Sequence, residues 1–389
     1  MHPMRAAITS LLIAVSLPAA TLPLQTWVDE AIAAGGGVVT IPPGEHILPK
    51  GLIIKDAKNL SIKGMEREAC ILRLPEVSSG RVRSAAAAGA KRIEIQPKGR
   101  WRSGMQLQLE APGAVDSFTG KARPYVLARI AEVHEDHFLL QTGLSHPIPE
   151  GCLIRDPNAP NLIEVRGKCD GVQIANLILD GGRREGDPAI QGHAQLCALL
   201  AQGDYDYRKG PTGPQPSGLV LRDCIIENCF GRGAAFYSCR APRVEACSFR
   251  DCADEAIDFD HFTSAATASG NRIIRCRVGI ELNDAEACRI EGNEIERSDI
   301  GLHFWRFCPQ PEFNRRHQVI NNRILGCRGN GMQIAKGTQE LLIENNVIEH
   351  CGRNGISLGG NHHRLQRNQI QGCRMKAVAI NEGQHQITP

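Results

Sequence analysis

Aromatic side chains are scarce: ten Phe, four Tyr and three Trp make up 4% of the 389 residues, set against forty Gly. That balance describes a turn-rich chain. No charge of either sign dominates, since 45 Lys and Arg face 42 Asp and Glu for a net +3. This argues against a nucleic-acid partner held by bulk charge. An apolar share of 42% argues against disorder. The fifteen cysteines include no CxxC pair and no Cys/His cluster at zinc-finger spacing, so no metal–sulfur site is expected. Past the N-terminus no run approaches membrane-spanning length, so no membrane span is expected.

What is present begins with an export pattern. Arg5 supplies a positive start, AAITSLLIAVSLPAA a short apolar stretch broken by Pro18, and Ala19 and Ala20 small residues suited to cleavage. The sequence therefore predicts a signal peptide over residues 1–20 and a secreted or periplasmic mature chain over 21–389.

Trp27, Val28, Ala31 and Ile32 have helical spacing, and the glycines at 35–37 end that helix before a VVTI strand. Residues 101–160 hold MQLQLE, YVLARIAEV and HFLLQTGL, which predict an inserted antiparallel β unit. A Pro/Gly-rich stretch, 181–218, predicts a long loop insertion.

Around and beyond that stretch the chain repeats. RDCIIENC, EACSFRDC, GNRIIRC, EGNEIERS, INNRILGC, ENNVIEHC and QRNQIQGC each place Asn or Cys five residues before Cys or Ser. The second position of the pair falls on Cys229, Cys252, Cys276, Ser298, Cys327, Cys351 and Cys373, in steps of 23, 24, 22, 29, 24 and 22 residues. FCPQPEFNRRHQ accounts for the long step as a loop. Such a period with very short strands means a solenoid whose turns bury their apolar faces only by stacking. Stacking sets equivalent residues about 4.8 Å apart. Asn amides can then bond along their column, and cysteines can pack as small hydrophobes rather than as disulfides.

This pattern resembles the right-handed parallel β-helix, or pectate-lyase-like, superfamily over roughly residues 25–80 and 160–385. The opening helix with GGGVVTIPPG is similar to the N-terminal cap of that superfamily. The resemblance implies an all-β solenoid with a capping helix. It leaves the chemistry open, because the fold hosts lyases, hydrolases, epimerases and adhesins.

Period 2 in the strands after each second-column residue sends Ile257, Phe259, Ile280, Leu282, Leu302 and Phe304 inward. The outward column is then Ala235, Asp258, Glu281, His303, Gln333, Ser357 and Ala379. Beside it run Tyr237, Asp260, Asn283 and Trp305, and at the strand ends His261, Asp284 and Arg306. Stacked carboxylates repel, and stability does not ask for them, so Asp258, Asp260, Glu281 and His303 are the candidate catalytic residues. Tyr237, His261, Asn283, Asp284, Trp305, Arg306 and Lys336 are the candidate substrate-binding residues.

Two carboxyls can hydrolyse a glycosidic bond, one giving a proton and the other activating water or attacking. Neighbours in one column, about 5 Å apart, suit retention; a diagonal pair such as Asp260 and Glu281, about 7–8 Å apart, suits inversion. The order acid, acid, histidine on successive turns is similar to the polygalacturonase branch of the superfamily. That likeness implies roles for Asp258 or Asp260, Glu281 or Asp284, and His303. The Asn-Thr-Asp, Asp-Asp, Gly-His-Gly and Arg-Ile-Lys signatures of that branch are replaced here by IDFDH, IELND, LHFW and QIAK, with Lys336 where the basic pair would stand.

The alternative enzyme is a lyase or C5-epimerase on a uronate polymer, with Arg306, Arg315, Arg316 or Lys336 neutralising the substrate and His303 as base. In that case Asp258, Asp260 and Glu281 could hold Ca²⁺; the hydrolase needs no cofactor. A non-catalytic carbohydrate-binding solenoid is the third reading. The expected partner in every case is a polysaccharide. DYDYRKG is either a groove wall or a disordered tip.

Overall fold

A computed structural model describes residues 22–388 apart from 77, 116–124, 159, 185–195 and 308–312. The predicted signal peptide lies outside the described residues.

Three long parallel sheets, of eleven, ten and ten strands, make up most of the fold. The chain visits them in turn. In one rung Arg243–Glu245 lies in the first sheet, Ser248–Arg250 in the second and Glu255–Asp260 in the third. The two sequence columns mark two corners of each rung. Every first-column residue follows a residue with positive φ, for example Ala246 (52°) before Cys247 and Gly292 (62°) before Asn293. Every second-column residue does too, for example Asp251 (57°) before Cys252 and Gly326 (62°) before Cys327. A single left-handed residue turns the chain sharply and lets the next strand begin at once.

The asparagine column bonds as its spacing predicts. The Asn293 side chain donates to Asn322 Oδ1 at 2.9 Å, and Asn322 donates to Asn346 Oδ1 at 2.9 Å. The same acceptors take the backbone N–H groups of Asn293 and Asn322 at 3.0 and 2.9 Å. Each amide thus satisfies a corner that would otherwise bury unpaired polar groups. All fourteen described cysteines are free thiols, and only Cys373 is not buried.

The helix Leu24–Ala33 covers the open end of the solenoid. Leu24 and Val28 are buried, and Trp27, Ala31 and Ile32 pack against the same core. Gln25 both accepts from the Ile53 N–H and donates to the Ile53 carbonyl, each at 2.8 Å, which caps an edge strand.

The antiparallel unit is larger than its sequence signal. Six strands between Ser79 and Arg155 close into a small barrel around Ile93, Ile95, Leu107, Leu109, Ile130, Phe138 and Ile154. The anticipated start at 101 falls inside it, because the alternating run RIEIQPK reads equally as a solenoid strand. The barrel does not interrupt stacking: Ile163–Arg166 pairs directly with Leu52–Lys55. The stretch 181–218 is likewise more than a loop. It contains Leu199–Gln202, a third-sheet strand paired on both sides, and a short hairpin joining Tyr205–Asp206 to Gly210–Pro211. Within the described residues no helix is long and apolar enough to cross a membrane.

Candidate active site

The third sheet positions the site, and its register is the one the repeats predict. Ala235 pairs with Asp258, Asp258 with Glu281, Glu281 with His303, His303 with Gln333 and Gln333 with Ser357. In the neighbouring column Tyr237 pairs with Asp260, and Asn283 with Trp305. Ile257, Phe259, Ile280, Leu282, Leu302 and Phe304 fill the interior, where Phe236 and Phe259 rings lie 5.4 Å apart. The carboxyls therefore share one face, directed away from the aliphatic filling.

That face is covered where it was expected to be open. Asp258 is 0% exposed and Asp260 only 4%. Arg232, from the turn before Ala234–Tyr237, places Nε 2.8 Å from both Asp258 Oδ2 and Glu255 Oε2. Arg277 forms ion pairs with Asp254 and Glu255. Burial opposes charge on Arg232, but Tyr237, Glu255, Asp258 and Asp254 around it hold its pKa well above the ordinary value. The Tyr237 hydroxyl donates to Asp258 Oδ2 at 3.3 Å. Asp258 Oδ1 is buried with no hydrogen-bond partner among the described residues.

Burial sets the protonation of this cluster. It pushes Asp258 well above the usual carboxylate range, Asp260 beside it adds to the effect, and Arg232 opposes it. Asp260 is also raised, again chiefly by burial, with Arg232 opposing and Glu281 adding. Glu255 follows the same pattern. Removing charged groups from water favours their neutral forms, so burial biases these carboxyls toward protonation while Arg232 opposes it.

Glu281 is buried too, at 8%, whereas His303 beside it is part-exposed. His303 Nδ1 sits 2.5 Å from Glu281 Oε2, and its Nε2 is 3.5 Å from the Gln333 amide. Trp305 is 43% exposed beside them, its ring centroid 5.7 Å from that of His303.

DYDYRKG forms a wall. Its Tyr205 ring stacks on Tyr237 at 6.4 Å, and Tyr207 meets His261 edge-on at 4.8 Å. Phe307 closes against Tyr207 at 5.8 Å. Below this aromatic layer His261 Nδ1 lies 3.1 Å from Asp260 Oδ1 and 3.4 Å from Asp284 Oδ2. His261 and Phe262 both have positive φ, 30° and 69°, so the chain is strained where it leaves Asp260.

The remaining sequence candidates divide. Tyr237 is covered by Tyr205 and offers no face to a ligand; the exposed rings are Tyr207, Trp305 and Phe307. Asp284 is fully buried and accepts the Phe307 N–H at 2.8 Å, so it fixes the chain rather than facing solvent. Asn283 is buried with its Oδ1 unpartnered among the described residues. Arg306 and Lys336 come together in a hollow of about 310 Å³ at the next corner, with Gly337, Thr338 and Asn361. Arg315 and Arg316 instead pair with Glu286.

Sequence reasoning missed Arg232, Arg277, Asp254 and Glu255. Opposite charges do recur after the second column, as Asp254 and Arg277 and again as Asp299 and Arg328, which also pair, but without the fixed offset that would have marked them.

A parallel three-sheet solenoid defines a structural class, and comparison with known proteins agrees. Residues 209–315 and 306–388 match the family described as right handed beta helix region. A solved structure named "Glycoside hydrolase" superposes with a TM-score of 0.53 at 12% identity, covering 94% of this chain and 92% of its own. The mannuronan C-5 epimerase AlgE6 A-module of Azotobacter vinelandii gives 0.53 at 12% identity, covering 94% of both chains. An N-terminal fragment of gene product 12 of bacteriophage Phi29 gives 0.51 at 13% identity, covering 91% of this chain and 63% of its own. Curated protein sequences give no match. The chain is a right-handed parallel β-helix protein. At these identities the likeness concerns the fold.

Proposed function

We propose that the chain is an exported enzyme that hydrolyses a polysaccharide across the outer face of the third sheet. The observation carrying this reading is the pairing of two differently placed carboxyls on adjacent turns. Burial pushes the Asp260 carboxyl well above the usual carboxylate range, whereas Glu281 is held by His303, which is part-exposed. Asp260 serves as the acid that protonates the departing glycosidic oxygen, and Glu281 as the base that activates water. Their diagonal placement, about 7–8 Å, leaves room for that water and suits inversion. Trp305, Tyr207 and Phe307 offer flat apolar surfaces at the margins for sugar rings. Export rests on the pattern over residues 1–20.

The reading needs no metal. Of the three donors named for Ca²⁺, Asp258, Asp260 and Glu281, Arg232 already pairs with Asp258 and His303 with Glu281, which speaks against a hard cation there. Polysaccharide as substrate class agrees with solved β-helix proteins of known action, a glycoside hydrolase and a mannuronan epimerase.

A second reading has its own support. With Nδ1 on Glu281, the His303 ring directs Nε2 toward Gln333 and the partly open edge, as a base for a sugar C–H would. That arrangement suits elimination or C5-epimerisation of a uronate. The test is to incubate purified protein with uronate and neutral polysaccharides and read both reducing ends and the absorbance of an unsaturated product. Hydrolysis gives reducing ends alone. Unsaturated ends would replace it with elimination, a changed C5-epimer ratio by NMR without either would replace it with epimerisation, and none of the three from any polymer would remove the catalytic reading.

A further inference from the structure

A second charged feature lies on a different sheet and nearer the N-terminus. In the first sheet Thr40 pairs with Lys63, Lys63 with Ala175, Ala175 with Arg222 and Arg222 with Glu245. Two long cationic side chains therefore flank one small residue, and the two cations start about 9–10 Å apart. The notch between them opens into a hollow of about 690 Å³, walled on its other side by Arg67 and Asn176.

Arg67 is fixed in place by donating from Nη2 to the Cys224 carbonyl at 3.4 Å. Its Nε is buried with no hydrogen-bond partner among the described residues. The nearest compensation is Asp223, 3.8 Å from Arg222. Among the residues lining the hollow, three cations thus face one carboxylate, Asp223. Lys63 and Arg222 stand exposed, and Glu245, Ser269 and Glu291 continue their column beyond Arg222.

We propose that this notch binds an oxyanion, a carboxylate or sulfate, carried on a glycan chain. Two guanidinium groups and an ammonium converging on a concave surface with an amide beside them are what oxyanion recognition requires. That the carrier is a glycan rests on the proposed function; the oxyanion preference does not. The notch would hold an anionic polymer on the first sheet, away from the acidic ladder on the third.

The test is calorimetric titration of Glu281→Gln protein, chosen so that turnover does not obscure binding. The probes are an oligouronate, a sulfated oligosaccharide, a neutral oligosaccharide of equal length and inorganic phosphate. At least one anionic oligosaccharide should bind, and Lys63→Ala with Arg222→Ala should weaken it about tenfold or more. Raising salt from about 50 to 200 mM should weaken it as well. Both side chains are exposed, so the double variant should keep the parent melting temperature. Equal affinity in the double variant, or equal binding of the neutral chain, would overturn the site; phosphate binding as tightly as either glycan would overturn its glycan carrier. Residual turnover by Glu281→Gln would count against the hydrolytic reading alone.

Discussion

His303 Nδ1 lies 2.5 Å from Glu281 Oε2, one solenoid turn away and on the same outward column. Parallel in-register stacking alone brings these two residues together, although 22 positions separate them in the chain. The contact fixes how the Glu281 carboxyl and the imidazole face one another. Replacing His303 with Ala should slow turnover about 10–100-fold and move one limb of the pH–rate profile. A role confined to packing would lower the melting temperature and leave the profile in place.

The raised pKa values of Asp258 and Asp260 have a consequence for stability. The unfolded chain loses these protons near pH 4, while the folded chain holds them to higher pH. Folded protein then binds more protons than unfolded, and stability falls as pH rises through that window. Asp258→Asn should flatten this decline. Denaturant melts of both proteins across pH 4–8 check it, and parallel pH dependences would contradict it.

His317 works in the opposite direction. It is fully buried, accepts the Cys288 N–H at 3.1 Å, and burial pushes its pKa down to about 3. An unfolded histidine takes its proton near pH 6.5, so this site costs stability as pH falls from there toward 3. His317→Asn should retain more of its neutral-pH stability at pH 4 than the parent does, measured by the same melts.

The asparagine column should be indispensable. Asn322→Ala leaves the Asn293 N–H and amide without their acceptor and removes donors to the Ile290 carbonyl and Asn346. Each buried group left unpaired costs about 1–3 kcal/mol. Urea denaturation should show a loss of several times that of a surface substitution.

The thiols should be inert in the native state, with one exception. Cys373 alone among the described cysteines is part-exposed, at the C-terminal end of its column. Alkylation followed by mass spectrometry should modify Cys373 first, and the melting temperature should not respond to reducing agent.

The fold was legible because its corners repeat. A left-handed residue followed by Asn or Cys recurs with every rung, and the inward Ile, Leu and Phe alternate strictly after it. The register of Asp258, Glu281 and His303 follows from that alone. The cover was not legible, because alternation tells which face a side chain takes and says nothing of what lies over it. Arg232 stands three residues past Cys229 whereas Arg277 directly follows Cys276, so the corner charges hold no fixed offset. Tyr205 and Tyr207 reach the site from a hairpin in another turn. The barrel strand at Arg92–Lys98 was missed for a related reason, since seven alternating residues serve a solenoid or a barrel equally.

The most direct measurement is the rate of reducing-end release by Asp260→Asn and by Glu281→Gln, beside the parent protein, on a polysaccharide the parent cleaves. Both variants should fall by about 10²–10⁴-fold with melting temperatures no lower than the parent's. Parent rates in both would show that the ladder is not where the bond is broken.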